Sequence, residues 1–421
     1  MSDWTDFEDV KQQVAVYGIT LVEGDTSVLA EPITIESKVI HNRLLIQPVE
    51  GTDADAYGNP TELTERRYLR YAKGGAGVIW MEAVALDSSL RSNERQLVLS
   101  EVTYDSFARL IEEMKQTAFA ANGYAPTVVI QLSHPGRSCL IPKPAYDNEM
   151  WETVRSAKNQ PVVSDDEIER LAPLYGDIAR LAARAGFDGV EIKACHHFFI
   201  NELLAATGRP GRYGGAYENR VRHLKETVAA VRALTNDVFI TTRLNHYDGI
   251  PYPDGFGMKS DGSWLPDGSE PLRLIEELNE EYGVELINCS SSGPEFELFN
   301  NRNAVDQLFG EPMTPLRSGV CMHLFAKEIK QNLPGIKVVA TQFSHLKQYA
   351  ASVGAYLVES GGADFIGFGR QALAYPDFAS DILKKGMMDK DKVCLCCGGC
   401  HRMMGSEKGA GCTVRDPFYR S

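Results

Sequence analysis

Apolar residues recur along this chain in two rhythms that take turns. Short, nearly unbroken apolar runs occur at Arg43–Val49, Gly77–Val84, Thr127–Ser133, Phe187–Ala194, Val238–Asn245, Val284–Cys289, Ile336–Thr341 and Phe365–Gly369. Between most of them lie segments whose apolar positions are three and four residues apart. These are Thr61–Gly74, Tyr104–Ala121, Asp165–Ala185, Asn219–Leu234, Gly268–Tyr282, Leu316–Asn332 and Phe343–Gly361. The first rhythm predicts strands and the second predicts amphipathic helices. Strands with little polar alternation are buried on both faces, so eight such units predict an α/β fold, a closed (β/α)8 TIM barrel. An open doubly wound sheet competes, but no strand is followed by the GxGxxG turn expected of it. Residues 1–41 read as a lead-in, whose runs VAVYGITLVEG and PITIESKVIHN suit short strands or a plug. Residues 42–385 then form the barrel, and 386–421 a cysteine-rich extension.

The 421 residues carry 43% hydrophobic and 24% charged positions, ordinary for a globular enzyme, and disorder is not expected. A net charge of -14 argues against a sequence-independent grip on nucleic acid, which needs cationic excess. No apolar run is long enough to span a membrane, and the polar, acidic start MSDWTDFEDVKQQ is unlike a secretory signal. A cytoplasmic protein is expected. Of the nine cysteines, Cys394, Cys396, Cys397, Cys400 and Cys412 crowd one end, which suits metal ligation in a reducing compartment better than a disulfide framework.

Chemistry concentrates where predicted strands end, the catalytic end of parallel barrels. The densest stretch is GVEIKACHHFFINELLAATGRPGRYGGAYENRVRH, Gly189 to His223, which delivers Lys193, His196 and His197. Other strand ends supply Gln47, Pro48, Glu50, Glu82, Gln131, His134, Arg137, Arg243, Asn245, His246, Gly367, Gly369 and Arg370. Any one of these could be a satisfied polar residue of the barrel. Their gathering at one end is what points to a site. Loops His134–Pro161 and His246–Pro266 are long enough to be lids or binding loops.

Several segments in order carry a family likeness: NRLLIQPVEGTDADAYGNPT, GGAGVIWMEAVAL, VVIQLSHPGR, GVEIKACHHFFINELL, RYGGAYENRVRH, TTRLN and GGADFIGFGRQALAYPDF. Over most of its length the chain resembles the FMN-containing ene-reductases of the old yellow enzyme family. It is most similar to the branch with a C-terminal cysteine cluster, which includes 2,4-dienoyl-CoA reductase and 2-enoate reductase. The resemblance implies an FMN site in which Gln131 meets the pyrimidine edge of the flavin and Arg243 the N1–C2 edge. Pro48 seats the ring, with Glu50 and Glu82 beside it, and Gly367, Gly369 and Arg370 hold the phosphate. It also implies that Lys193 and His196 polarise the carbonyl of an unsaturated carbonyl substrate for hydride transfer. Glu218 and Arg222 take a structural part in the YGG helix.

Three departures qualify the likeness. Phe198 stands at the family's proton-donating Tyr, so the acid is expected elsewhere: His197, His246, Tyr247, Tyr252 or water. The catalytic His that dienoyl-CoA reductase carries after its sixth strand is replaced by CSSSGPEF around Pro294. The position beside the flavin C4 carbonyl, often Thr or Cys, falls near Glu50, and QPVEG lacks the flavin-attaching Cys of trimethylamine dehydrogenase.

The tail VCLCCGGCHRMMGSEKGAGC contains CxxCxxC from Cys394, Cys397 and Cys400, then eleven residues and Cys412. Four thiolates so spaced suit a [4Fe–4S] cluster better than zinc, which more often uses two separated CxxC knuckles. Cys396 with Cys400 and Cys412 gives an alternative register, and structural zinc an alternative metal. The sequence ends at Ser421 and holds no GxGxxG, so the FAD and NAD(P)H portion of multidomain relatives is expected to be lacking. Electrons are then expected from NAD(P)H directly, or through the cluster from a partner flavoprotein or ferredoxin. Alternative functions are a flavin dehydrogenase working oxidatively or on amines, and an electron-transfer subunit without substrate chemistry. Substrate identity and any homo-oligomer are left open.

Overall fold

The computed structural model describes residues 4, 6–15, 19–292 and 315–420. The strands are β1 (Ile33–Ile35), β2 (Lys38–Ile40), β3 (Leu44–Ile46), β4 (Val78–Ala85), β5 (Thr127–Ser133), β6 (Gly189–Ala194), β7 (Phe239–Asn245), β8 (Leu286–Ser290), β9 (Lys337–Ala340) and β10 (Phe365–Phe368). The last eight are parallel and close into a barrel in chain order, with β10 returning to pair with β3. Each lies within or beside the apolar run that predicted it. No described helix is long and apolar enough to cross a membrane.

Period-two alternation survives inside these strands even though both faces are buried. One face of each strand packs on the surrounding helices, as Ile130, Leu132, Val190, Ile192, Ile240, Leu244, Ile287 and Val338 do. The other faces the barrel lumen. At its N-terminal end Leu45, Val78, Trp80, Val129, Phe239, Leu286, Val339 and Phe365 form a separate apolar cluster. The hairpin β1–β2, paired antiparallel from Ile33↔Ile40 to Ile35↔Lys38, seats Ile35 and Ile40 on that cluster. The lead-in is therefore a plug for the end of the barrel away from the chemistry.

Two expected helices are interrupted. The segment Asn219–Leu234 is divided at Val221 into Tyr217–Arg220 and Arg222–Leu234. Phe343–Gly361 begins instead as a 3-10 turn, Phe343–Tyr349, ahead of the helix Ala350–Glu359. Gln342 (φ 71°) and Lys347 (φ 51°, ψ −123°) leave helical geometry, which breaks the i→i−4 ladder that the apolar spacing suggested. The loop His134–Pro161 contains a short helix, Glu149–Val154, capped by the Asn148 side chain on Trp151 N. The CSSSGPEF segment from residue 293 onward, with Pro294, lies outside the described residues.

Ile40 is fully buried, and truncating it leaves a cavity that the rigid barrel end cannot close. Ile40→Ala is expected to cost about 2–5 kcal/mol in denaturant unfolding. The exposed neighbour Val39→Ala should change stability by less than about 0.5 kcal/mol.

Candidate active site

Above the apolar plug the lumen turns polar, because the next inward positions are Gln131 on β5, Glu191 on β6 and Asn288 on β8. Glu191 is fully buried and accepts from Gln131 Nε2 at 2.6 Å and from Asn288 Nδ2 at 2.8 Å. Asn288 also exchanges hydrogen bonds with the Gln47 amide at 2.9 and 3.1 Å. Four side chains thus cross the barrel as one hydrogen-bonded layer. Burial raises the Glu191 carboxyl to about 7, with Arg243 pulling the other way. No described residue donates to the Gln131 carbonyl oxygen, so that acceptor remains available at the layer's edge.

One step further along the strands sit Lys193 and Arg243, register partners on β6 and β7. Both are buried, which rules out a Lys193 ammonium reaching into solvent. Lys193 Nζ stands 3.7 Å from the centroid of the Phe198 ring and 4.0 Å from Glu50 Oε1. Desolvation lowers its pKa, and the Glu50 carboxylate opposes that shift. Arg243 Nε is buried and has no hydrogen-bond partner among the described residues. A buried guanidinium N–H left unpaired is costly, and an anionic or carbonyl edge of a ligand would satisfy it.

His196 and His197 follow β6 with φ of 63° and 58°. Two consecutive left-handed non-glycine residues cost of order 1–3 kcal/mol each and need outside support. Asn201 supplies part of it by accepting from His197 N at 2.8 Å while donating to Asp248 Oδ1 at 2.9 Å. Asn245 donates to the same Asp248 oxygen at 2.8 Å, and Phe256 N to the other at 2.9 Å. The loops after β6 and β7 are thereby clamped together. His196 Nε2 lies 3.1 Å from Ser290 Oγ, and burial followed by the Arg243 charge holds its imidazole neutral. His197 Nε2 lies 3.3 Å from the Asp248 carbonyl, with its ring edge-on to Trp151.

Glu82, expected beside the ring, is not free to bind a ligand. Its oxygens accept from Gly51 N and Arg67 Nη2, both at 2.6 Å, and from Tyr68 OH at 3.2 Å. Arg67 also binds Asp53, so a cation and two carboxylates are buried together beneath the loop that follows Glu50. Glu82 shapes the site through Gly51. Pro48 is half-buried after β3. Gly367 is needed for close packing, since a Cβ there would fall 2.6 Å from Gln47 Nε2. Beyond Gly369, Arg370 Nη2 lies 3.1 Å from His345 Nε2. Arg137 turns away from the lumen, donating to Glu202 at 2.8 Å and to the Tyr146 carbonyl at 2.8 Å, which anchors the long loop. Asn201, Asp248, Glu191, Asn288 and His345 were not singled out in the sequence. Glu191 sits two residues before Lys193 on the same inward face, and that spacing was the available signal.

Residues 28–256, more than half of the chain, match the NADH:flavin oxidoreductase / NADH oxidase family. The chain belongs to that family. The protein is an oxidoreductase, and the cofactor of its family is FMN. It is 29% identical to an NADPH dehydrogenase of Bacillus pumilus (strain SAFR-032) over 272 residues, 62% of this chain and 73% of that protein. It is 23% identical to an NADH oxidase of Thermoanaerobacter brockii over 87% of this chain but 52% of that protein. Among solved structures, a 2-naphthoyl-CoA reductase bound to 2-naphthoyl-CoA superposes with a TM-score of 0.77 at 18% identity, over 94% of this chain and 57% of that one. An old yellow enzyme homologue from Zymomonas mobilis superposes with a TM-score of 0.63 at 21% identity, over 86% and 94%. These superpositions speak to the fold. The unpaired Arg243 N–H and the available Gln131 oxygen are donor and acceptor groups of the kind a flavin's pyrimidine edge would complement, so the residues present fit FMN.

In the oxidoreductase's extension, Cys394, Cys396, Cys397, Cys400 and Cys412 line one recess together with Arg370. Backbone N–H groups point at two of the sulfurs, Cys396 N at Cys394 Sγ and Arg415 N at Cys412 Sγ, each at 3.3 Å. Among the described residues, however, no three potential ligands are grouped closely enough to hold a metal ion. The extension docks on the loop after Glu50 through Ala410 N to the Gly51 carbonyl (2.7 Å) and Gly405 N to Thr52 Oγ1 (2.9 Å).

Arg67→Ala would leave Asp53 and Glu82 buried without their cation and should cost roughly 3–5 kcal/mol in unfolding free energy. Glu191 gives a pH-dependent expectation. Its carboxyl is raised from 4.5 to about 7, so the folded state holds the proton more tightly than the unfolded one. The stability linked to it is whole below pH 4.5 and is lost as pH rises through about 7. Glu191→Gln removes that loss. Melting curves of the apoprotein should show the variant gaining on wild type between pH 4.5 and 8, by ~3 kcal/mol at most, and a pH-independent difference would refute the shift.

Proposed function

We propose that the protein is an FMN-dependent ene-reductase that reduces a carbon–carbon double bond conjugated to a carbonyl. The observation that carries this reading is the cationic, desolvated end of the lumen. There Lys193, with no hydrogen bond to a described residue, and Arg243, whose Nε is unpaired among the described residues, stand side by side on β6 and β7. FMN, when bound, supplies the hydride from N5.

The chain's own residues hold and polarise. Gln131, oriented by Glu191, offers its carbonyl oxygen to the flavin imide, and Arg243 stabilises negative charge at the N1–C2 edge. Pro48 and Glu50 border the ring, and Gly367, Gly369 and Arg370, with His345 beside it, hold the phosphate end. Lys193 and the neutral imidazole of His196 donate to the substrate carbonyl, so charge developing on its oxygen meets preorganised donors in a water-poor site. His197 takes a supporting place, because its ring nitrogen is turned toward the Asp248 carbonyl. NAD(P)H is the direct electron source in this reading; Cys394, Cys397, Cys400 and Cys412 are the residues that would hold a [4Fe–4S] cluster, which would supply single-electron relay from a partner.

Protein purified without oxygen should carry flavin absorption and about four irons per chain. A phenol should form a charge-transfer band above the FMN. Lys193→Ala combined with His196→Ala should abolish alkene reduction, a loss of at least ~10²-fold, while FMN stays bound. Full turnover in the double variant would refute the donor roles. Flavin with zinc or without metal would leave the reductase and remove the cluster.

A further inference from the structure

Reducing a double bond takes a proton as well as a hydride, and Phe198 cannot supply one. The other side-chain candidates are engaged elsewhere, exposed or weakly acidic. The Tyr247 hydroxyl is committed to the Trp264 carbonyl at 2.9 Å. His246 Nε2 is held by Glu328 at 2.9 Å and its ring packs on Phe325. His197 is engaged with Asp248 and Trp151. Tyr252 is 46% exposed. His196 is neutral, and a neutral imidazole is a very weak acid.

Lys193 differs from all of these. Its Nζ lies against the face of Phe198, which attracts a cation without accepting a hydrogen bond, and at 4.0 Å from Glu50. The charged and titratable groups facing it are Glu50 on the loop after β3, Arg243 on β7, and Glu191, Cys195 and His196 on and after its own strand. An ammonium has three N–H donors, so one can hold the carbonyl oxygen while another reaches the neighbouring carbon.

We propose that Lys193 is the proton donor of the reaction, its ammonium steered by the Phe198 ring and Glu50 toward the substrate α-carbon. This rests on the ene-reductase reading above. The β-carbon gains hydride, with its electron pair, from reduced FMN, which is oxidised by two electrons. The π pair of the double bond becomes the bond between the α-carbon and the proton leaving Nζ. Lys193 ends the step neutral and is reprotonated from solvent on the Glu50 side.

The test uses the FMN-loaded protein, reduced without oxygen and mixed with 2-methylcyclohex-2-enone, so that the face of protonation is recorded in the 2-methylcyclohexanone product. Wild type is expected to give one enantiomer in excess. Lys193→Arg keeps a cation that binds its proton too tightly to release it, and Lys193→Gln keeps a neutral donor. Either variant should reoxidise flavin within about tenfold to a hundredfold of wild type yet give nearly racemic ketone, because solvent then protonates both faces. Bound-FMN absorption serves as the folding control for both. Wild-type enantiomeric excess in both variants would place the proton source elsewhere. Loss of flavin reoxidation in both, with FMN retained, would confine Lys193 to the hydride step and overturn the proposal. A wild-type protein whose reduced flavin is not reoxidised by the enone would instead sink the ene-reductase reading itself.

Discussion

A closed parallel barrel leaves no room for water in its middle, so a carboxylate placed there must be satisfied by side chains from other strands. Glu191 imposes that constraint here. Its oxygens are met by Gln131 and Asn288, and Asn288 is tied in turn to Gln47, so four strands' worth of side-chain geometry depends on one buried acid. Below the layer the lumen is apolar and plugged by the β1–β2 hairpin. Above it the inward positions become Lys193 and Arg243, with Glu191 beneath them and Glu50 4.0 Å from Lys193 Nζ.

The second organising contact is the buried trio of Arg67, Asp53 and Glu82. It fixes the Gly51–Asp53 loop from within, and the cysteine-bearing extension grips the same loop from without. The recess that gathers the cysteines and the space in front of Lys193 are therefore joined by one short segment, Glu50–Asp53. Arg370 sits at the other junction, following β10 and lining the cysteine recess. A change at the cysteine recess would reach the loop in front of Lys193 through a short, well-bonded stretch of chain.

Support for strained backbone is the third theme. Left-handed His196 and His197 re-aim the chain at the end of β6, so that His196 meets Ser290 while His197 turns toward Asp248. Asn201 and Asn245, both donating to Asp248 Oδ1, hold that bend. This network explains why His197, adjacent to His196 in the chain, does not share its place in front of the lumen.

The barrel was legible in the chain because strand and helix periodicities depend on local burial alone, and the apolar runs survive whatever the loops do. The strand-end polar residues were legible for the same reason, since parallel strands place their ends together. Period two would also have marked Glu191 and Asn288, had inward and outward positions been separated in runs that look uniformly apolar. Distant partners were not legible. Nothing local says that Glu82 answers Arg67 instead of a ligand, or that Phe198 supports Lys193. Nor does it say that Tyr247 and His246 are committed elsewhere, because each depends on contacts between segments tens of residues apart. Periodicity settles the elements and the end of the barrel where chemistry gathers; long-range packing and the pairing of buried charges settle which of those groups remain free to act.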